Sequence, residues 1–215
     1  MIKIWGRRNS FNVQKVMWFV GELGLEHEHI PAGGPYGRLD EPEFRALNPN
    51  RMVPVLEDGD LAVWESHSIL RYLAARFGAA DYWSADPAAR SHVDRWLDWA
   101  ATMLQPAFLG GLFWRYYRTP EAKRQWPVIR SSMQRCAQLF GLLDRELAAR
   151  PYLAGDSFSL ADIPAGASLY RYYEMGLETP ALPNVEAWYA RLQERPAYRE
   201  HVMIPFDDLQ GRLAF

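Results

Sequence analysis

The sequence predicts an α/β domain built on a mixed four-stranded sheet, followed by an all-α helical domain. Three observations carry this. The first 78 residues alternate strand-like and helix-like segments. From about Asp86 onward no strand signal remains. Between them, "FGAADYWSADP" shifts the composition to Ala, Asp and Pro, as a linker does. The expected division is therefore 1–78 for the α/β domain, 79–86 for the linker and 87–215 for the helical domain.

The elements follow in order. "IKIW" reads as a short strand. "FNVQKVMWFVGELGL" sets Val13, Val16, Met17, Val20 and Leu23 at helical spacing, and Gly24 can end that helix. "EHEHI" alternates as a second strand. "EPEFRAL" is a short helix stopped by "NPN". "VPVLED" and "LAVW" flank Asp58-Gly59, a hairpin signal. "SHSILRYLAARF" is a helix ending at Gly78. The order β-α-β-α-β-β-α fits a parallel start with crossovers, closed by an antiparallel hairpin.

In the second half, "PAARSHVDRWLDWAATMLQPAFLGGLFWRYY" is helical, with interruptions expected at Pro106 and Gly110-Gly111. "EAKRQWPVIRSSMQRCAQLFGLLDRELAAR", "FSLADIPAGASLYRYYEM", "NVEAWYARLQER" and "PAYREHVM" continue the helical pattern. "SLAD" reads as a capping box: Ser159 accepts from the amide three residues on, and Asp162 reaches back. Phe158 and Ile163 sit at staple positions. This feature nucleates a helix and carries no catalysis.

Composition narrows the function. A formal charge of −2 argues against a nucleic-acid binder. Nine Trp, 11 Tyr and 10 Phe exceed what helix packing needs, so some rings can line a pocket for flat apolar ligands. Cys136 is the only cysteine, which excludes an internal disulfide and a cysteine-based metal site. Its place on an apolar helix face reads as a buried small hydrophobe. The histidines show no paired spacing with acids, so no metal is assigned. "MIKIWGRRNS" has no apolar h-region, and no apolar run is long enough for a membrane span. A reducing cytoplasm is the expected location, with no membrane or nucleic-acid partner.

Several motifs together resemble one family. "NPNRMVPVLED", "WESHSILRYLA" and "DSFSLADI", with "RPAY" and the Asp-Gly hairpin, are similar in order and spacing to the cytosolic glutathione transferases, in the serine-using theta- and delta-like classes. The resemblance implies a thioredoxin-like fold for the first domain, glutathione as co-substrate, a small hydrophobic electrophile as second substrate, and a homodimer. It implies a cis bond between Val53 and Pro54, with the Val53 backbone pairing with the cysteinyl part of glutathione as an added strand would. On the residues alone, a trans proline starting a strand is the simpler reading. Glu65 would pair with the γ-glutamyl ammonium, and Ser66 at the helix start with its carboxylate. Both residues equally suit an ordinary helix start. Arg51 and Arg38 are the two candidates for the glycyl carboxylate, or else solvated surface charges.

In "RRNSFN", thioredoxin-like redox proteins carry a nucleophilic cysteine. Here a substrate that brings its own thiol needs only a donor that favours the thiolate. Ser10 is the first candidate for that donor and Asn12 the second, while Ser10 also suits a plain N-cap. The electrophile wall is expected from Phe11, Phe108, Leu112, Phe113, Trp114 and Tyr117, with Phe215 over the mouth and about half of these rings in the core. Three rival readings share the fold: a non-catalytic binding protein, a glutathione-dependent disulfide reductase, and an isomerase. The reductase normally has cysteine at position 10. The isomerase wants a serine-rich turn, which "RRNSFN" lacks.

Overall fold

The computed structural model describes residues 1–213, so the expectation for Phe215 lies outside the described residues. The chain divides into two compact units. One comprises Met1–Trp83 with Pro196–Ile204. The other comprises Ser84–Arg195 and the segment from Pro205.

The first unit is a mixed sheet of order β2-β1-β3-β4, made of β1 (Ile2–Trp5), β2 (His27–Ile30), β3 (Val55–Asp58) and β4 (Leu61–Trp64). β1 pairs parallel with β2 across the crossover helix α1 (Phe11–Glu22). β3 runs antiparallel to β1, so the parallel start ends at β2. The short helix α2 (Pro42–Leu47) and the loop after it are long enough to turn the chain around before β3. β3 and β4 form the expected hairpin. Its register sets Asp58 opposite Leu61, so the two turn residues are Gly59 and Asp60. Helix α3 (Ser66–Arg76) follows directly.

The core of this unit explains α1. Trp5, Ala32, Phe44 and Val55 pack as one cluster, with Trp5 and Phe44 edge to face at 5.8 Å. Helix α1 is buried from Phe11 to Val20 except at Asn12, which is half-buried, because it is covered on more than one side. Helix α8 (Pro196–His201) returns to pack on it: Tyr198 lies edge to face on Trp18 at 4.7 Å. Gly21 permits this approach, since a Cβ there would stand 2.9 Å from the Ala197 Cβ. The sequence division had put this last helix with the helical domain.

The second unit holds α4 (Pro87–Trp99), α5 (Trp126–Leu147), α6 (Asp162–Glu174) and α7 (Pro183–Gln193). The expected break at Pro106 does not occur. The chain stays helical through Gln105 (φ −63°, ψ −44°) and widens into π-helical turns over Ala100–Leu104 and Pro106–Arg118. A wider turn relieves the clash that a proline ring makes with the preceding turn of an α-helix.

Asp162 is the polar centre of this unit. It is fully buried, and its carboxylate accepts from the Leu153 and Ser159 amides, both at 2.9 Å, and from the Trp188 indole at 3.1 Å. The reach-back half of the expected capping box is therefore present. The other half differs: Ser159 Oγ accepts from the Ala161 amide at 3.3 Å, and the Asp162 amide donates to the Ser159 carbonyl.

Candidate functional site

Sheet register alone gathers the candidate site. Trp5, the last residue of β1, stands opposite Val55, the first of β3, which stands opposite Trp64, the last of β4. Three segments therefore leave the same end of the sheet: Gly6–Ser10, Val53-Pro54 and Glu65-Ser66. Gly6 makes the first two touch. A Cβ there would meet Val13 Cγ2 at 2.4 Å and Val53 Cβ at 3.1 Å, and its φ of +147° also favours glycine.

Each segment presents a different group. Ser10 is the N-cap residue of α1, but its side chain makes no capping hydrogen bond. It is 8% exposed, so a hydroxyl sits at a helix start with its donor uncommitted. Val53-Pro54 is cis, as expected. Among the described residues, no backbone group pairs with the Val53 N–H or C=O. Glu65 is exposed and has φ +70°, a conformation unusual for a residue with a side chain. It sits at the N-cap position of α3 without capping it, and Ser66 is buried as the first helical residue.

Arg38 and Arg51 also stand in positive-φ turns, at +71° and +55°. Arg38 lies over the Trp5 ring at 4.5 Å, at this same end of the sheet, and pairs with Glu41 and Glu43 at 3.4 and 3.6 Å. Arg51 pairs with Asp40 at 2.7 Å and is more exposed. Each arginine already has an acidic neighbour, at a surface position where such pairs are weak and exchangeable.

Lys15 was missed by the sequence reading. It is fully buried, with its ammonium 3.1 Å from Asn12 Oδ1, 3.1 Å from His67 Nε2 and 4.7 Å over the Phe11 ring. Burial pushes its pKa down to about 7, and the attraction of Glu65 opposes that shift. The only sequence signal was a charged residue among Val13, Val16 and Met17 of the helix. His29 was also passed over. Its Nε2 donates to the Gly6 carbonyl at 2.6 Å, fixing the loop before Ser10, and burial lowers its pKa.

The expected electrophile wall is less open than the sequence suggested. Phe11 is buried under Lys15. In the second unit Phe108, Leu112, Phe113 and Tyr117 are buried, and Phe113 stacks on Tyr117 at 5.3 Å and meets Phe206. Trp114 alone of the six is exposed, with the Arg118 guanidinium 4.0 Å over its ring. Core packing thus claims more than half of these rings. Gly111 passes close to Ser132 of α5, whereas a side chain at Gly110 would meet nothing within 4 Å. Leu112 and Tyr172 line a cleft of about 180 Å³ in the same unit, together with Met133, Ala137, Leu177 and Pro180. Among the described residues, no group of three or more His, Cys, Asp and Glu is placed to hold a metal, and no helix is long and apolar enough to cross a membrane.

Both halves of the chain match a known family. The family model for the glutathione S-transferase N-terminal domain matches residues 1–75, and that for the C-terminal domain matches residues 106–196. The chain is 43% identical over 207 residues to glutathione S-transferase GstB of Escherichia coli K12, covering 95% of this chain and 99% of the relative. It is 32% identical to glutathione S-transferase 3 of Zea mays, covering 94% and 93%. A theta-class glutathione S-transferase of Xanthomonas axonopodis pv. citri, solved with glutathione bound, superposes with a TM-score of 0.90 at 46% identity, covering 95% of this chain and 98% of that one. With both domain models matched in order and relatives aligned along nearly its whole length, this chain belongs to the glutathione S-transferase family.

Proposed function

We propose that this protein is a glutathione transferase that binds glutathione at the sheet end described above and activates it as a thiolate for attack on small apolar electrophiles. The observation that carries the reading is the convergence of three unlike groups. An uncommitted hydroxyl at the start of α1, an unpaired backbone at Val53 and an acidic residue beside the start of α3 match the thiol, the peptide backbone and the γ-glutamyl ammonium of one tripeptide. The relative solved with glutathione supports the same ligand for this chain.

The residues divide the work. The Val53 N–H and C=O hold the cysteinyl unit as an edge strand would. The α3 start, with Ser66, holds the γ-glutamyl carboxylate, and Glu65 holds its ammonium. Arg38 or Arg51 takes the glycyl carboxylate by exchanging its surface acid for it. Ser10 donates to the sulfur. Thiolate attack then forms the carbon–sulfur bond, and the leaving group departs with its electron pair. The cytoplasm as location, detoxification as role and homodimeric assembly belong to the same reading. Light scattering at micromolar concentration is expected to give twice the 24.8 kDa chain mass, and a monomer mass would remove the dimer.

Retention on immobilised glutathione followed by conjugation to an aryl halide tests the whole reading. Retention without turnover would favour a non-catalytic binding protein. Replacing Glu65 by Ala is expected to weaken glutathione binding about ten- to a hundred-fold, as loss of one charge-assisted hydrogen bond does, and to leave the melting temperature nearly unchanged. Exposure of Glu65 and the lack of a capping bond from its side chain are the reasons, and Lys15, which it attracts, keeps Asn12, His67 and the Phe11 ring as partners. Calorimetric titration beside a thermal melt checks both. A collapsed melt with intact affinity would make the residue structural.

A further inference from the structure

The buried lysine of α1 has a consequence for its neighbours. An ammonium offers three N–H donors and no acceptor. In its charged form, which the nearby Glu65 favours against the pull of burial, Lys15 therefore needs acceptors at hydrogen-bond distance. On Asn12 the accepting end is the amide oxygen, at 3.1 Å. On His67 it is Nε2, at 3.1 Å, which places the ring hydrogen on Nδ1. The assignment of the Asn12 oxygen thus follows from the chemistry of its partner. It turns the Asn12 NH2 away from Lys15. Asn12 is half-buried in the first turn of α1, two residues after Ser10, so the NH2 is the end left to donate at that helix start.

We propose that Lys15 is a positioning residue for thiol activation: its buried ammonium locks Asn12 with the amide donor turned toward the ligand, and its contact with His67 ties the start of α1 to the start of α3. The inference rests on the reading that glutathione occupies those two helix starts. An asparagine free to rotate presents its carbonyl oxygen as readily as its NH2. The oxygen repels a thiolate, and the NH2 stabilises it. Lys15 removes the wrong orientation. The Phe11 ring beneath the ammonium and Glu65 nearby keep the cation in this place without competing for the Asn12 oxygen.

A double-mutant cycle tests this, because two residues that act through one another do not add. Lys15→Met and Asn12→Ala are made singly and together, with Lys15→Gln alongside as a second, polar replacement. Lys15→Met is expected to lower kcat about ten-fold, to leave the glutathione KM within about three-fold, and to raise the ultraviolet titration of the bound thiol by about one unit, the shift that corresponds to such a rate loss. In the Asn12→Ala background the same change should cost less than about two-fold. A structural lysine would instead lower the melting temperature and leave kcat and the titration of the folded protein alone. Equal losses with and without Asn12, an unchanged titration in folded Lys15→Met or Lys15→Gln, or failure of both variants to fold would overturn the proposal. Wild-type protein that neither binds glutathione nor turns over would overturn the site reading itself, and that result is visible before any variant is made.

Discussion

Replacing Ser10 by alanine is expected to lower turnover ten- to a hundred-fold and to leave the glutathione KM within a few-fold. A free thiol has a pKa of about 8.5, so only a few per cent is ionised near neutrality. A hydrogen bond to a charged acceptor contributes about 1.5–3 kcal/mol, which at 1.36 kcal/mol per unit lowers the bound thiol's pKa by roughly one to two units. Removing the hydroxyl reverses that shift and reduces the ionised fraction by the same factor. A more basic sulfur is a somewhat better nucleophile, which trims the loss. The contacts from Val53, Glu65 and the α3 start remain, so binding persists. Stability should change little, because the Ser10 side chain makes no capping bond whose removal would weaken α1. The ultraviolet titration of the bound thiol and steady-state kinetics check the two halves. If Asn12→Ala moves both readouts and Ser10→Ala moves neither, the donor is Asn12. If neither variant has an effect, the non-catalytic reading becomes the better one.

Much of the sheet end where the candidate site lies was legible, and the reason is local. The strand at Ile2–Trp5, the hairpin and the helix start at Ser66 each carry their own sequence signature, the cis bond at Val53-Pro54 follows from the resemblance alone, and sheet register brings them together. What escaped depends on partners distant in sequence. Lys15 occupies a helix whose second turn is covered on the side of α3, and nothing in "NVQKVM" marks that covering. The antiparallel direction of β3 was hidden because a short helix and the loop after it permit either orientation. The return of Pro196–His201 to α1 depends on Tyr198 meeting Trp18, a pairing 180 residues apart. The aromatic wall was overread for the opposite reason. Phe108 and Phe113 have the composition of a ligand pocket, but their neighbours Phe140, Tyr172 and Phe206 fill the space around them.

The largest stability effect is expected at Asp162. Its carboxylate accepts from the Leu153 and Ser159 amides and the Trp188 indole, all buried, and so joins the segment before α6, the start of α6 and α7. Replacing Asp162 by Ala leaves three buried N–H donors without an acceptor, and the Ser159 hydroxyl loses its longer contact at 3.4 Å. Each unsatisfied donor costs about 1–3 kcal/mol. Relief of a buried carboxylate's own desolvation offsets part of this, because burial pushes the Asp162 pKa up to about 6 against the hydrogen bonds that pull it down. The net loss is then on the order of 3–5 kcal/mol, which in a chain of this size corresponds to a melting temperature lower by on the order of 10 °C. The pH dependence has a definite sign. An acid whose pKa is raised by folding binds more protons in the native state than in the unfolded one between about 4 and 6. Its ionisation therefore lowers stability as pH rises through that window, and the penalty is complete above it. Replacing Asp162 by Asn, which stays neutral and keeps one accepting oxygen, should remove this pH-dependent component while retaining part of the hydrogen bonding. Thermal melts of the wild type, Asp162→Ala and Asp162→Asn at pH 4.5 and 7.5 separate the contributions. A wild-type melt that rises across that interval no less than the Asn variant's would show that Asp162 is held ionised throughout, with its hydrogen-bond donors outweighing burial.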